Sequence, residues 1–143
     1  MTSLNQIINK LNQIATNHAQ INGFGFGEDY DISTVQESYP LMWANVLDST
    51  INDKILTVGI GILILDIVSD DDQNMNDTLS DCLSIACDVY ALLAQENDEY
   101  EVQPTVNLTP IFEAFADKVN GWRMDLTLNI VTGVNRCQVP LNN

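Results

Sequence analysis

Groups suited to acid–base or nucleophilic chemistry are scarce in this sequence. Among its 143 residues there is one histidine, His18, and there are three cysteines. A catalytic site needs several converging partners, and neither a Ser-His-Asp nor a Cys-His set can be assembled here. His18 lies near the predicted end of a helix, a position typical of a surface histidine stabilised by the helix dipole. We therefore expect a protein without enzymatic activity.

Carboxylates are plentiful, and they are the hard oxygen ligands that Ca²⁺ and Mg²⁺ bind. The densest run is Asp70, Asp71 and Asp72, with Asp66 before it and Asp77 after it. The spacing does not match a calcium-binding EF-hand loop, which requires alternating ligands, a glycine and a closing glutamate. Acidic runs are usually solvated loops. We expect no bound metal and no cofactor.

The alternating glycines Gly23, Gly25 and Gly27 do not indicate a phosphate site. A dinucleotide-binding loop has a different glycine spacing between a strand and a helix. Here the glycines lead into three acids that would repel phosphate, Glu28, Asp29 and Asp31. A glycine at every second position instead leaves one face of the segment without side chains, which permits close approach of another backbone or side chain.

The cysteines are Cys82, Cys87 and Cys137, an odd number without the spacing of a disulfide framework. On a helix, Cys82 and Cys87 would point about 140° apart and lie ~7.5 Å apart along the axis. That separation exceeds the reach of a disulfide. The pattern favours free thiols in a reducing compartment, with Cys82 and Cys87 as small buried apolar residues.

The charge balance excludes some partners. With 20 acidic and 5 basic side chains, the formal net charge is −15. Such a chain cannot build a groove that neutralises phosphates, and an anionic membrane would repel it. The longest apolar run, residues 55–65, is too short to cross a bilayer, and no signal peptide is indicated. The charge favours a cationic partner or a surface that repels polyanions.

Two amphipathic helices are predicted, over residues 2–20 and 78–95. Thr2 or Ser3 can cap the first, whose outer face is rich in Asn and Gln and nearly uncharged. Strands are predicted at residues 39–47, 54–68, 100–108 and 122–132, with a turn at 48–53. Residues 23–27 form a strand or an extended loop, and residues 109–115 either start a short helix or continue a strand.

These elements predict an α+β fold in one domain of residues 1–143. We expect a mostly antiparallel four- to five-stranded sheet with two main helices packed on one face. Residues 1–20 form the N-terminal helix and residues 133–143 a C-terminal tail. The strand at 54–68 is expected to be central and covered on both sides. Gly59 and Gly61 within it either admit another chain or relieve crowding under a helix.

Several segments, in this order, resemble small neck or tail-completion proteins of tailed bacteriophages, a tail-terminator-like family. They are residues 21–27 (Ile-Asn-Gly-Phe-Gly-Phe-Gly), 39–43 (Tyr-Pro-Leu-Met-Trp), 64–68 (Ile-Leu-Asp-Ile-Val), 76–81 (Asn-Asp-Thr-Leu-Ser-Asp), Phe115 with Asp117, Gly121-Trp122 with Asp125-Leu126, and 136–140 (Arg-Cys-Gln-Val-Pro). The sequence departs from the family pattern at residues 57–61, where the strand is less bulky. The resemblance covers residues 21–140.

The resemblance implies a structural protein of the virion and no catalytic residue. Its fold would be a sheet with helices on one face, and its copies would form a ring at the head–tail junction. We expect a hexamer, with a dodecamer as the alternative, next to portal, adaptor, tail-tube or other neck proteins. DNA would pass through without specific binding. The protein would assemble in the host cytoplasm and reside in the virion.

The charge agrees with that expectation, because an acidic channel repels a polyanion and holds no phosphate. Six copies at −15 each carry −90 in total, so subunit contacts should use the least charged surfaces. The predicted channel or rim acids are Glu28, Asp29, Asp31, Asp70, Asp71 and Asp72. The predicted contact residues are Asn9, Lys10, Phe24 and Phe26.

A second class also fits the size and charge. Type III secretion chaperones are small, acidic α+β proteins that bind a segment of a partner polypeptide, usually as dimers. The ordered segments listed above do not match that class. An obligate dimer would favour the chaperone, whereas a ring of six or twelve copies would favour the neck protein.

Overall fold

The computed structural model describes residues 3–28, 39–68, 74–95, 100–114 and 119–131. Two helices and six strands follow one another along the chain. They are α1 (Leu4–Asn17), β1 (Gly23–Phe26), β2 (Leu41–Asn52), β3 (Ile55–Ile67), α2 (Met75–Leu93), β4 (Glu101–Val102), β5 (Asn107–Ala114) and β6 (Val119–Val131). The predicted α+β class with two helices is confirmed.

The six strands form one mixed sheet in the order β1-β2-β3-β6, and β4 and β5 lie end to end along the outer side of β6. β1 pairs with β2 in parallel, and the other pairs are antiparallel. The sheet therefore has more strands than the four or five expected. The predicted strand at 100–108 is divided at residues 103–106, which include Pro104, and residues 109–114 continue as strand rather than helix.

The predicted turn at residues 48–53 is wrong, because β2 continues as a strand to Asn52. Its register with β3 shifts once, between Val46 and Asp48, and then runs unbroken to the pair Asn52–Ile55. The hairpin turn is only Asp53–Lys54. Asp53 has a φ of 57°, a left-handed conformation that aspartate tolerates better than most residues. The polar residues at 48–50 gave the sequence pattern of a loop because this part of the strand is exposed to solvent.

A capping box explains where α1 begins. Ser3 accepts a hydrogen bond from the Gln6 backbone, and the Gln6 side chain accepts one from the Ser3 backbone, forming a capping box. α2 begins at Met75, three residues earlier than predicted, and the Thr78 hydroxyl donates to the Asn74 carbonyl. Ile85 is buried on α2, whereas Leu79 and Leu83 from the predicted stripe are only half-buried.

Both helices pack on the same face of the sheet, here called the helical face, as predicted. Alternate residues of β3 and β6 form the sheet surface against which the helices pack. The main core on this face contains Ile7, Leu11, Ile14, Met42, Ile60, Ile62, Ile64, Ile85, Val89, Leu93, Met124, Leu126 and Leu128. Alternation along the strands and helical spacing on α1 and α2 together produce this single core.

The opposite face, here called the open face, has no helix among the described elements. It holds a smaller apolar cluster, Leu41, Trp43, Leu63, Leu65 and Val119. β3 is central, as predicted, but on this face Gly59 and Gly61 lie beneath polar side chains. A Cβ on Gly59 would meet Asp48, and one on Gly61 would meet Asn45 and Arg123. The hypothesis that these glycines relieve crowding under a helix is therefore wrong.

Gly121 is the glycine at which we expect an added side chain to reduce the stability of the fold most. It pairs with Leu65 in the β3–β6 ladder, and an added Cβ would overlap the Ile64 backbone carbonyl. Backbone in a central ladder cannot move aside, so Gly121→Ala should destabilise the protein by at least about 2 kcal/mol. Urea unfolding measures this. Gly59→Ala is the matched control, because it meets a flexible carboxylate, and an equal loss in both variants would contradict the argument.

Candidate interaction surface

The residues predicted to contact a neighbouring copy lie on neighbouring elements, since α1 packs beside β1. On α1, Asn9 is exposed and Lys10 is half-buried. On β1, Phe24 packs against the main core, whereas Phe26 is 37% exposed. Phe24 therefore contributes mainly to the core, and Phe26 is the better placed of the two for contact with a neighbouring copy.

The alternating glycines and phenylalanines of β1 have separate roles. Phe24 packs against the main core, and Gly25 lies beneath the indole ring of Trp43, where a Cβ would overlap that ring. The Trp43 Nε1 donates to the Gly27 carbonyl at 3.1 Å. The bare face expected from the sequence thus admits a side chain of the adjacent strand.

Of the six acids predicted to line a channel or rim, the structure describes one. Glu28 is exposed and directly follows the end of β1 and Gly27. The other five, Asp29, Asp31, Asp70, Asp71 and Asp72, lie outside the described residues. No arrangement of acids around a channel can be derived from Glu28 alone.

α1, β1 and β2 together have no net charge, and we call these three elements the neutral sector. They contain one lysine, Lys10, and one aspartate, Asp48. α2, by contrast, carries Asp77, Asp81 and Asp88 and no basic residue. In a chain of net charge −15, the neutral sector is the surface on which two copies repel each other least.

The second half of β2 is an edge that the sequence did not reveal. β1 pairs only with residues 41–44, and among the described strands none pairs with the outer side of residues 46–52, here called the distal edge. Val46, Leu47 and Ile51 are exposed there, Ile51 by 72%. Apolar side chains on an unpaired strand are a template for another strand. The signal in the sequence was Val46 and Leu47 at the end of the predicted strand and Ile51 within the supposed turn.

The other side of the sheet also ends in an exposed strand. β5 pairs with β6, no described strand pairs with its other side, and Leu108 and Phe112 are 37% and 55% exposed. Between β5 and α2 lies an apolar groove of about 230 Å³, lined by Cys87, Tyr90, Pro104, Val106, Leu108 and Met124. Cys87 is exposed in this groove, so its predicted burial is wrong, whereas Cys82 is buried as predicted.

His18 joins the two helices. Its Nδ1 accepts a hydrogen bond from the Gln20 backbone, which places the ring proton on Nε2, and Nε2 donates to the Asp88 carboxylate at 2.9 Å. Both ring nitrogens are therefore occupied. In this arrangement His18 connects the C-terminal end of α1 to α2 and has no free nitrogen to act as a base.

A carboxylate and a thiol lie close together under the start of α2. Burial, reinforced by the charge of Asp81, raises the pKa of Asp66, although a hydrogen bond from the Ile67 backbone opposes the shift. Burial raises the pKa of Cys82 to about 12, with Asp66 and Asp81 adding to the effect. Within the described residues, no group of three or more His, Cys, Asp or Glu side chains is placed to hold a metal.

Sequence comparison gives no relative from which to transfer a role. Neither the models of known protein families nor the curated protein sequences contain a match to this chain. In the part of the chain that the structure describes, no helix is both long and apolar enough to cross a membrane. Arguments about function therefore depend on the surfaces described above.

The raised pKa of Asp66 predicts a pH-dependent effect of its neutralisation. The pKa of Asp66 is higher in the folded protein than in the unfolded chain, so the ionised carboxylate lowers the free energy of unfolding. This loss of stability is complete above the folded pKa and disappears as the pH falls below the unfolded pKa. Asp66→Asn should raise the Tm at pH 7, and the gain should shrink as the pH falls and vanish below the pKa of the unfolded chain. Glu101→Gln removes the same charge from an exposed strand position and is the control. A gain that is equal in both variants or independent of pH would contradict the assignment.

The two described cysteines should differ in reactivity. Cys82 is buried and its thiol stays protonated at pH 8, whereas Cys87 is exposed. Iodoacetamide should label Cys87 in the native protein and Cys82 only after unfolding, as followed by peptide mass spectrometry. Urea-unfolded protein is the control for intrinsic reactivity. Equal labelling of both cysteines in the native protein would contradict the placement of Cys82 in the core.

Proposed function

We propose that this chain is a structural subunit of a tailed-phage neck, a tail-completion or tail-terminator-like protein whose copies form a ring at the head–tail junction. The ordered sequence segments support this proposal, and so does the α+β fold with both helices on one sheet face. That fold is the architecture the family resemblance implies. The proposal assigns the chain no catalytic group and no cofactor.

The observation that carries the proposal is the neutral sector. Copies that each carry −15 can associate stably only through surfaces with little charge, because close like charges are costly even in salt. α1, β1 and β2 supply such a surface, and it includes a stretch of β2 that no described strand pairs on its outer side.

The remaining acidity suits a protein that surrounds DNA. A negative lumen repels the duplex and offers no cationic sites for counterion release, so DNA can move through it. In the proposed ring, Glu28 and its acidic neighbours Asp29 and Asp31, or Asp70–Asp72, lie at the lumen or rim. A structure of the ring with both segments on its outer wall would contradict this placement.

The proposed assembly is a hexamer, with a dodecamer as the alternative, in contact with portal, adaptor, tail-tube or other neck proteins. It forms in the host cytoplasm and remains in the virion. Native mass spectrometry and negative-stain electron microscopy of the purified chain test this. A closed ring with a central opening is the expected result. An obligate dimer would contradict the proposal and favour a secretion-type chaperone that binds a partner polypeptide.

A charge change on α1 tests whether the neutral sector forms the contact. Lys10→Glu combined with Asn9→Asp adds three negative charges to α1 and should weaken ring assembly at least about tenfold. Asn76→Asp with Ser80→Glu and Ser84→Glu adds the same charge to exposed positions of α2 and should have less effect. Sedimentation velocity over a concentration series measures both. Unaffected assembly of the α1 variant would place the contact elsewhere.

A further inference from the structure

We infer that the distal edge of β2 in one copy pairs with the β5 edge of a second copy, continuing the sheet from subunit to subunit. The inference rests on the proposed function, since it names the contact through which ring subunits join. It concerns residues 46–52 on one side and residues 107–114 on the other. Both segments are outer strands of the same sheet.

Strand direction and length allow this pairing. β2 is antiparallel to β3, β3 to β6 and β6 to β5, so β2 and β5 run in opposite directions within one copy. A second copy placed edge to edge with its helices on the same side therefore offers an antiparallel partner. The distal edge has seven residues and β5 has eight, and β1 ends where the distal edge begins.

The exposed side chains also match. Register with β3 places Val46 opposite Ile60 and Ile51 opposite Leu56, so both lie on the helical face. Leu108 pairs with Met124 and lies on the helical face of β5. Continuation of the sheet keeps the helical faces aligned, so these apolar side chains become cross-strand neighbours and leave water.

Charge permits the same contact. Asp48 is the one charged residue in the distal edge, and Glu113 is the one charged residue in β5. Pro110 removes one backbone donor from β5, and the other residues of that strand keep theirs. Two copies can therefore approach along these edges with little repulsion while forming ladder hydrogen bonds.

The geometry favours head-to-tail pairing over pairing of two distal edges. Two distal edges related by a two-fold axis would form a closed dimer and leave Leu108 and Phe112 exposed on both copies. Joining opposite edges covers both sets. A contact between two different surfaces repeats from copy to copy and closes into a ring when the rotation permits.

Lysine substitutions test the two edges separately. Ile51→Lys and Phe112→Lys should each raise the dissociation constant for assembly at least about tenfold, because a buried apolar contact is replaced by a charge. Ile67→Lys is the matched control, since Ile67 is 50% exposed at the end of central β3. Sedimentation velocity measures assembly, and circular dichroism confirms that each variant folds. A wild-type ring that neither edge variant weakens would overturn the inference and leave the proposed function standing.

Cross-linking determines which edges meet. In a Cys87→Ser, Cys137→Ser background, the double variant Ile51→Cys with Leu108→Cys is treated with a bismaleimide shorter than the roughly 14 Å that three strand spacings span. A ladder of oligomers up to ring size is expected, with no product from either single-cysteine chain. Dimers from Ile51→Cys alone, or rings without cross-links, would overturn the inference. A wild-type chain that forms no ring would overturn the proposed function and this contact with it.

Discussion

The pairing of β3 with β6 is the interaction on which the rest of the structure depends. Thirteen residue pairs join the two strands without a register shift, from Ile55–Val131 to Ile67–Val119. Every other strand attaches to one of these two, or to β2, which pairs with β3. Alternation along this pair places one set of apolar residues under both helices and another in the smaller cluster on the open face. A one-residue slip would exchange the two sets, so burial fixes the register.

The central pair also determines where the sheet can be extended. β3 pairs along its length with β2 on one side and β6 on the other, so among the described strands the open edges lie on either side of this central pair. β1 covers only the first four residues of β2, which leaves the distal edge. The same elements hold almost no charge, whereas α2 is acidic. The proposed ring thus follows from two separate properties of one side of the molecule, an incomplete edge and the near absence of charge.

Sequence patterns predicted the helices, the long β3 strand, the α+β class and the placement of both helices on one face. These features depend on local periodicity, which is strong in α1 and β3. The errors came where tertiary pairing overrode local composition. Residues 48–52 have turn-like polar side chains but are held as strand by β3, and Pro104 interrupts one predicted strand. Cys87 was expected to be buried although it lies about 140° around α2 from Cys82, and it is exposed in a groove. Sequence analysis identified Phe26 and Glu28 as exposed candidates but not the distal edge, because its exposure depends on where β1 ends.

The two tryptophans lie on opposite faces of the sheet, and each indole donates to a backbone carbonyl of a different element. Trp43 donates to Gly27 beside β1, and Trp122 donates to Leu79 of α2 at 2.9 Å. β1 is held by four residue pairs with β2, whereas α2 packs along β3 and β6. Local opening should therefore release β1 at a lower free energy than α2. Trp43 and Trp122 thus provide separate intrinsic fluorescence signals for these two events, without any added label.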